Sequence, residues 1–205
     1  MELHMLCGIP GSGKSTLVGR LSGHVVSTDS LRKYLWGDES VVTFDTLVFT
    51  VADDIMKYLL GIGRDVIFDA TNLTIDRRKA YITLAHMFGG RVVLHWVNCP
   101  LSTALERNSI RERKVPVPVI KALYNSFQMP SSKEGLDVIK VYGQELVIQR
   151  IVAAGHTIKR SSARPGAVYI PENPFVKENL RKGRIQTVSE PGWYPPEEDS
   201  IWPSM

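Results

Sequence analysis

The chain has 205 residues, of which 43% are hydrophobic and 22% are charged, so it suits one compact domain with an appendage. Cys7 and Cys99 are too few for a disulfide framework, and the histidines show no metal-binding spacing. A formal net charge of +4 mildly favours a polyanionic partner. The sequence shows no secretory signal pattern and no apolar run near the roughly 18 residues of a membrane helix. We therefore expect a cytoplasmic protein with no membrane partner.

Strand and helix patterns alternate along the chain. Short apolar runs predict strands at residues 3–7, 25–28, 65–69, 91–98 and 138–141. Helical patterns or helix-capping residues predict helices at residues 15–21, 30–36, 43–61, 76–87, 101–113 and 118–128, and a further helix after the fifth strand that reaches Ala154. This alternation predicts an α/β fold whose parallel sheet, of about five strands, is covered by helices on both faces.

The composition changes near His156. From there to Met205 lie seven of the twelve prolines and two of the four tryptophans. We assign residues 1–155 to one domain and residues 156–205 to an irregular tail rich in proline and tryptophan. The tail is either a wrapping or flexible extension, or a contact surface for a homo-oligomer or a substrate channel.

Residues 8–15 read Gly-Ile-Pro-Gly-Ser-Gly-Lys-Ser and fit the phosphate-loop pattern G-x-x-x-x-G-K-[ST] at every fixed position. A strand precedes the pattern and a helix follows it, which favours a nucleotide site over a glycine-rich turn. We expect Lys14 to reach the β- and γ-phosphates of ATP and Ser15 to bind Mg²⁺ in a P-loop NTPase fold. The predicted nucleotide contacts are Gly11, Ser12, Gly13, Lys14, Ser15 and Thr16. A GTPase is disfavoured because no N-K-x-D motif is present.

Two carboxylates, Asp29 and Asp69, end the second and third predicted strands. Ligands bind at the carboxyl ends of parallel strands, so we expect both carboxylates in one crevice. One could take a proton from an acceptor hydroxyl and the other could hold the Mg²⁺ water shell, which favours a kinase. Arg32 follows Asp29 by three residues and could bind an acidic group of the acceptor. Asp29 as a helix cap with a surface Arg32 is the alternative.

Basic residues form two further clusters. Arg107, Arg111, Arg113 and Lys114 precede a proline-containing stretch and could form a lid that stabilises transferred phosphate. Arg77, Arg78 and Lys79 follow the third strand. We expect both clusters, with Arg32, to ring one crevice, although each could instead be an exposed charged helix face.

The combined order of these pieces resembles the 5′-hydroxyl polynucleotide kinase family over about residues 3–142. The matching pieces are residues 8–16, Asp29 with Arg32, residues 69–73 with Arg77 and Arg78, residues 107–109 with Arg111, Val115 with Pro116, and Met129 and Pro130 with Glu134 and Gly135. The chain reads Asp-Ala-Thr-Asn from Asp69, where the phage member of the family reads Ser-Asp-Thr-Asn, and it lacks the D-x-D-G-T phosphatase signature. We therefore expect no 3′-phosphatase activity.

The resemblance implies ATP-dependent phosphorylation of a 5′-hydroxyl end of DNA or RNA. It implies that Asp29 is the general base, that Arg32 binds a phosphate of the acceptor strand, and that Arg111 is the lid arginine. It also implies that Arg107 contacts the adenine face. Asp69 would lie near the metal or the acceptor, and Thr71 and Asn72 would contact substrate. A kinase of a small hydroxyl metabolite and a regulatory nucleotide-binding module remain alternatives.

Overall fold

A computed structural model describes residues 1–154 and 156–159. Its strands are β1 (Glu2–Cys7), β2 (His24–Ser27), β3 (Val66–Asp69), β4 (Arg91–Val97), β5 (Val138–Tyr142), β6 (Ile148–Ala153) and β7 (His156–Lys159). Within the described residues they form one sheet with the order β2-β3-β1-β4-β5-β6-β7. Strands β1 to β5 are parallel, which confirms the predicted parallel sheet, and β6 and β7 extend it as antiparallel strands.

The helices occur between the strands, as the alternation predicts. They are α1 (Lys14–Val18), α2 (Thr28–Trp36), α3 (Asp45–Gly61), α4 (Ile75–Met87), α5 (Leu101–Ile110) and α6 (Val117–Asn125), and a 3₁₀ turn covers Ser132–Glu134. Helix α2 starts where the Ser27 side chain accepts a hydrogen bond from the Ser30 amide, and it ends at Gly37 with φ 73°. Helix α4 begins after Thr74 rather than at the predicted cap, Asp76, which lies in its first turn.

The predicted helix after the fifth strand is wrong, because β6 occupies that stretch. Val147, Ile148, Ile151 and Val152 have a spacing that fits a helix, but they are β-branched and therefore suit a pleated, half-buried strand. Residues 143–147 turn the chain back, with the Gly143 amide donating to the Val147 carbonyl. The strand then completes the hydrogen bonding of β5 along its free edge.

Both faces of the sheet are covered by helices. On one face, α3 and α4 supply Ala52, Met56, Leu60, Tyr81, Ile82 and Ala85 to a core that includes Phe68 and Leu94. On the other face, Leu17 of α1 packs with Leu6, Ile67 and Val97. Burial on both faces explains why β4 is almost continuously apolar. Among the described residues, no helix is both long and apolar enough to cross a bilayer.

The predicted tail begins with β7, which pairs with β6. The rest of the tail, and the homo-oligomer contact expected of it, lie outside the described residues.

A chain of polar side chains crosses the middle of the sheet. The ring nitrogens His4 Nδ1 and His95 Nε2 are 3.1 Å apart, and His95 Nδ1 lies 2.9 Å from the Tyr142 hydroxyl. Burial lowers the pKa of His95 to about 3, with the charges of Lys140 and His4 acting in the same direction. Burial also lowers the pKa of His4, against the opposing charge of Glu2. The two rings are therefore neutral in the folded protein at neutral pH.

We expect this chain to make the fold sensitive to acid. An unfolded histidine takes up a proton near pH 6.5, whereas folded His95 resists protonation down to about pH 3, so stability is lost as the pH falls below 6.5. The contribution reaches about 1.4 kcal/mol per pH unit for one such group. His95→Gln keeps polar contacts but cannot be protonated. Urea unfolding between about pH 7 and about pH 5 should show a shallower decline for the variant, and equal declines would contradict the assignment.

Candidate active site

The loop between β1 and α1 has the backbone shape of a phosphate cradle. Gly11 has φ 81° and Gly13 has φ 107°, a left-handed region that only glycine adopts without strain. A Cβ atom at Gly11 would also collide with the backbone carbonyl of Ala104 on α5. Conformation therefore requires glycine at both positions, and space requires it at Gly11 as well.

Side chains in this loop have unfilled hydrogen-bonding capacity. The Ser12 hydroxyl is buried and has no hydrogen-bond partner within the described structure. Lys14 Nζ donates to the Ile9 carbonyl at 3.0 Å, and burial lowers the pKa of Lys14 while Asp69, Cys7 and Asp29 oppose the shift. Ser15 and Thr16 follow on α1 and are exposed. An orphan hydroxyl and a lysine beside a glycine-shaped loop fit the phosphates of ATP, with Ser15 placed to hold Mg²⁺.

The loop after β3 is fastened to the phosphate loop. The Gly8 amide donates to the Thr71 carbonyl at 3.0 Å, and Asn72 Nδ2 donates to the Leu6 carbonyl at 2.7 Å. Asn72 is buried and has φ 46°, a conformation that asparagine tolerates better than most residues. The Asn72 amide therefore positions the loop from inside the protein, and the Thr71 backbone does the same.

Asp69 ends β3, as predicted, and lies opposite Ser27 in the register of β2. Burial raises the pKa of Asp69, Lys14 opposes the shift, and the negative charge of Asp29 adds to it. Lys14, Asp29 and Asp69 are thus close enough for their charges to act on one another.

The sequence predicted Asp29 at the end of β2. It lies two residues beyond that end, in the first turn of α2. Its carboxylate accepts hydrogen bonds from Arg32 Nη1 at 2.6 Å and from Arg113 Nη1 at 3.4 Å. The side chain remains 53% exposed. It is therefore a carboxylate held by two guanidinium groups and open to solvent.

Arg32 was expected to bind a phosphate of the acceptor, but its guanidinium faces inward. The residue is buried, with Nε 2.7 Å from Asp45 Oδ1 and Nη2 2.9 Å from Asp45 Oδ2. The bidentate geometry bridges α2 to the start of α3. With Asp29 also bound, three of the five N–H donors of Arg32 are engaged. Arg32 therefore positions Asp29.

Arg113 makes contacts that the sequence did not predict. The sequence placed it only in the basic cluster near the end of α5. Its Nη2 donates to the Glu39 carbonyl at 2.9 Å, and its Nη1 lies 3.1 Å from Glu39 Oε1. Its Nη1 also contacts Asp29. Through Glu39 and Asp29, Arg113 connects the segment after α5 to α2 and to the loop between α2 and α3. The sequence feature that could have indicated this role is the position of Arg113, two residues after Arg111.

Arg107 and Arg111 lie beside the phosphate loop. Arg107 donates from Nη1 to the Ser12 carbonyl at 3.3 Å and from Nη2 to the Gln144 carbonyl at 2.9 Å. It thereby joins the phosphate loop to the turn between β5 and β6. Arg111 caps the C-terminal end of α5, is exposed, and lies near enough to Lys14 for its charge to lower the pKa of that lysine.

The expected ring of free arginines around one crevice is not what the structure shows. Arg78 is fully buried, and its Nε and Nη2 bind the two carboxylate oxygens of Glu134 at 2.7 and 3.0 Å. Its Nη1 donates to the carbonyls of Asn72 and Leu73. Arg77 covers the ring of Phe49 at 3.9 Å. The prediction failed because a basic run on a helix does not reveal which side chains turn toward buried carboxylates.

The parallel sheet, the glycine-shaped phosphate loop with Lys14, and the adjacent carboxylates define a P-loop kinase domain. Such folds bind ATP, typically with Mg²⁺, and transfer its terminal phosphate to a hydroxyl group. Residues 3–130 match the AAA domain family AAA_33, which is more than half of the chain. The chain therefore belongs to that family.

Individual relatives are more distant. The L-seryl-tRNA(Sec) kinase of Methanococcus maripaludis is 26% identical over 147 residues, which cover 66% of this chain and 56% of the relative. The chain thus spans little more than half the length of this curated relative.

Similar solved structures share the fold at low identity. The AvrRxo1-ORF1:-ORF2 complex with ATP superposes with a TM-score of 0.62 at 16% identity, covering 92% of this chain and 66% of that one. The Pnkp1/Rnl/Hen1 RNA repair complex gives 0.55 at 18%, covering 85% and 53%. Kti12 of Chaetomium thermophilum in complex with ADP-AlF3 gives 0.54 at 16%, covering 69% and 88%.

The buried pair of Arg78 and Glu134 can be tested by stability. Arg78→Met leaves Glu134 as a lone buried charge, so we expect the unfolding free energy to fall by about 3–5 kcal/mol. Glu134→Gln removes that charge and keeps an acceptor for the Ser131 amide, so the double variant should recover part of the loss. Urea unfolding measures both. A small loss in Arg78→Met, or no recovery in the double variant, would contradict this description.

Proposed function

We propose that this kinase domain transfers the γ-phosphate of ATP to the 5′-hydroxyl end of DNA or RNA, with Asp29 as the general base. The supporting observation is the position of Asp29: its carboxylate is held by Arg32 and Arg113, near Lys14 and Asp69, and is 53% exposed. A base that is open to solvent can reach a hydroxyl that belongs to a large molecule, such as the end of a strand.

In the proposed reaction, the acceptor oxygen forms a bond to the γ-phosphorus while the bond between that phosphorus and the bridging oxygen of ADP breaks. The acceptor proton passes to Asp29. Lys14 and Arg111 stabilise negative charge on the transferred group, and Arg107 contacts the adenine face. Mg²⁺ at Ser15 would neutralise phosphate charge, and Asp69 would orient the metal's water shell or the acceptor.

Several features favour a nucleic-acid acceptor. The motifs occur in the order that characterises polynucleotide kinases, and Lys33, Lys79, Arg111 and Lys114 remain exposed. A polyanionic strand needs such cations along its path. The similar L-seryl-tRNA(Sec) kinase is named for an RNA-borne acceptor, which is compatible with this class of substrate.

A kinase of a small hydroxyl metabolite (a nucleoside, sugar or antibiotic) is the second candidate. The inward-facing guanidinium groups of Arg32 and Arg78 favour it, because they leave fewer donors for the phosphates of a strand. The same phosphate loop, Asp29 and Arg111 would serve that reaction.

We also propose that the protein acts in the cytoplasm and that residues 156–205 hold a homo-oligomer contact. The aromatic residues of this segment need a surface to bury against: Tyr169, Phe175, Trp193, Tyr194 and Trp202.

Transfer of labelled γ-phosphate to a 5′-hydroxyl oligonucleotide tests the proposed acceptor, with a 5′-phosphorylated oligonucleotide as the control. We expect label on the first substrate only, and an acceptor KM that rises steeply with salt because phosphate contacts release counterions. Absence of label on every DNA and RNA oligomer, together with transfer to a small hydroxyl compound, would replace this proposal with the second candidate.

The two proposed phosphate-stabilising cations can be tested against a matched control. Lys14→Ala and Arg111→Ala should each reduce kcat by about 10²–10³, the typical loss for one charge-stabilising group. Arg91→Ala is the control, because Arg91 lies at the amino end of β4, whereas the phosphate loop lies at the carboxyl ends of the strands, and its ion pair with Glu2 is exposed to solvent. Steady-state transfer with saturating acceptor measures the three variants. Near-normal turnover in Lys14→Ala or Arg111→Ala would contradict that residue's assignment.

A further inference from the structure

Two aromatic side chains beside the loop between α2 and α3 are packed together at the surface. The ring centroids of Trp36 and Phe44 are 4.8 Å apart. Trp36 is 36% exposed and Phe44 is 51% exposed, so each ring keeps a substantial area in contact with water. Aromatic residues are enriched at binding surfaces relative to the rest of a protein surface.

The pair is fixed relative to the proposed base. Asp29, Arg32 and Trp36 are spaced by three and four residues on α2 and therefore share one face of that helix. The rise of an α-helix places Trp36 about 10 Å along the axis from Asp29.

Phe44 directly precedes Asp45, the carboxylate that Arg32 binds through two nitrogen atoms. The buried guanidinium of Arg32 thus connects α2, which ends at Trp36, and the start of α3, which follows Phe44, to Asp29.

The loop between α2 and α3 is also contacted by the segment that follows α5. Arg113 binds both the backbone and the side chain of Glu39, in the loop between the two aromatic residues, and also contacts Asp29. Arg113 therefore contacts both the proposed base and the loop that joins the two aromatic residues. A ligand whose hydroxyl reaches Asp29 would have its next group near the rings.

We propose that Trp36 and Phe44 form a stacking surface for a nucleobase of the acceptor. The chemistry suits this ligand, because nucleobases of any sequence stack on aromatic rings. The inference rests on the proposed function and deepens it, since it assigns the acceptor a base within about 10 Å of the reacting hydroxyl.

Acceptor kinetics on a set of variants test the surface. Stacking losses by alanine substitution correspond to about a 5- to 150-fold rise in acceptor KM for Trp36→Ala, and Phe44→Ala should act in the same direction. Trp36→Phe keeps a ring and should recover most of the affinity. Tyr34→Ala is the matched control, because Tyr34 is 86% exposed on the same helix but lies two positions away, toward the opposite face. The KM for ATP should not change in any of them.

An acceptor without a base at its first or second position supplies the second arm. Wild type should lose affinity for this abasic oligonucleotide by the same factor that Trp36→Ala loses for the intact one. The variant and the abasic substitution together should cost little more than either alone, because both remove one contact. Thermal unfolding of Trp36→Ala checks that the loss is local.

The outcomes separate the two claims. If wild type phosphorylates no oligonucleotide, the proposed acceptor fails. If wild type phosphorylates oligonucleotides but Trp36→Ala keeps the normal acceptor KM, or its loss adds fully to that of the abasic acceptor, the stacking surface is overturned and the proposed function stands. A dimer of wild type in sedimentation that Trp36→Ala abolishes, with no change in acceptor KM, would show that a second copy covers the rings and would also overturn the inference.

Discussion

The surroundings of the proposed base depend on one buried guanidinium. Arg32 grips both carboxylate oxygens of Asp45 and one of Asp29, and so holds together α2, the start of α3 and the proposed base. A buried charge is costly unless it is paired and hydrogen-bonded, and here three contacts with two carboxylates meet that condition. The geometry gives Asp29 a fixed direction while its side chain stays 53% exposed. Lysine could not reproduce it, because an ammonium group has no planar fork.

The nucleotide side depends on a different constraint, the meeting of parallel strand ends. Strands β1 and β3 are neighbours, so the phosphate loop and the loop after β3 leave the sheet side by side and are joined by hydrogen bonds from Gly8 and Asn72. Arg107 connects the turn after β5 to the phosphate loop through hydrogen bonds to the Gln144 and Ser12 carbonyls. The phosphate loop and the proposed base meet at Lys14, Asp29 and Asp69, where the charges of these residues act on the pKa values of Lys14 and Asp69. Phosphate transfer between a nucleotide and an acceptor requires such a junction.

Local patterns predicted much of this arrangement. The fixed spacing of the phosphate loop, and apolar runs bounded by glycine and aspartate, were sufficient for the parallel sheet, the position of Lys14 and the approach of Asp29 to Asp69. The partners of the arginines could not be predicted, because Arg32 meets Asp45 across a loop and Arg78 meets Glu134 from a distant part of the chain. Strand β6 was missed since its β-branched residues also fit a helical spacing, and only the free edge of β5 decides between the two.

We propose that Asp29 acts on the acceptor and not on the nucleotide. Asp29→Asn keeps the size of the side chain and a hydrogen-bond acceptor for Arg32, but it removes the base. Single-turnover phosphate transfer and nucleotide affinity, measured on the same preparation of this variant, separate the two roles. If Asp29 is the base, the dissociation constant for ATP is unchanged and the transfer rate falls by about 10²–10⁴, the usual contribution of a general base. Transfer at the normal rate, or a loss explained by weaker ATP binding, would contradict it.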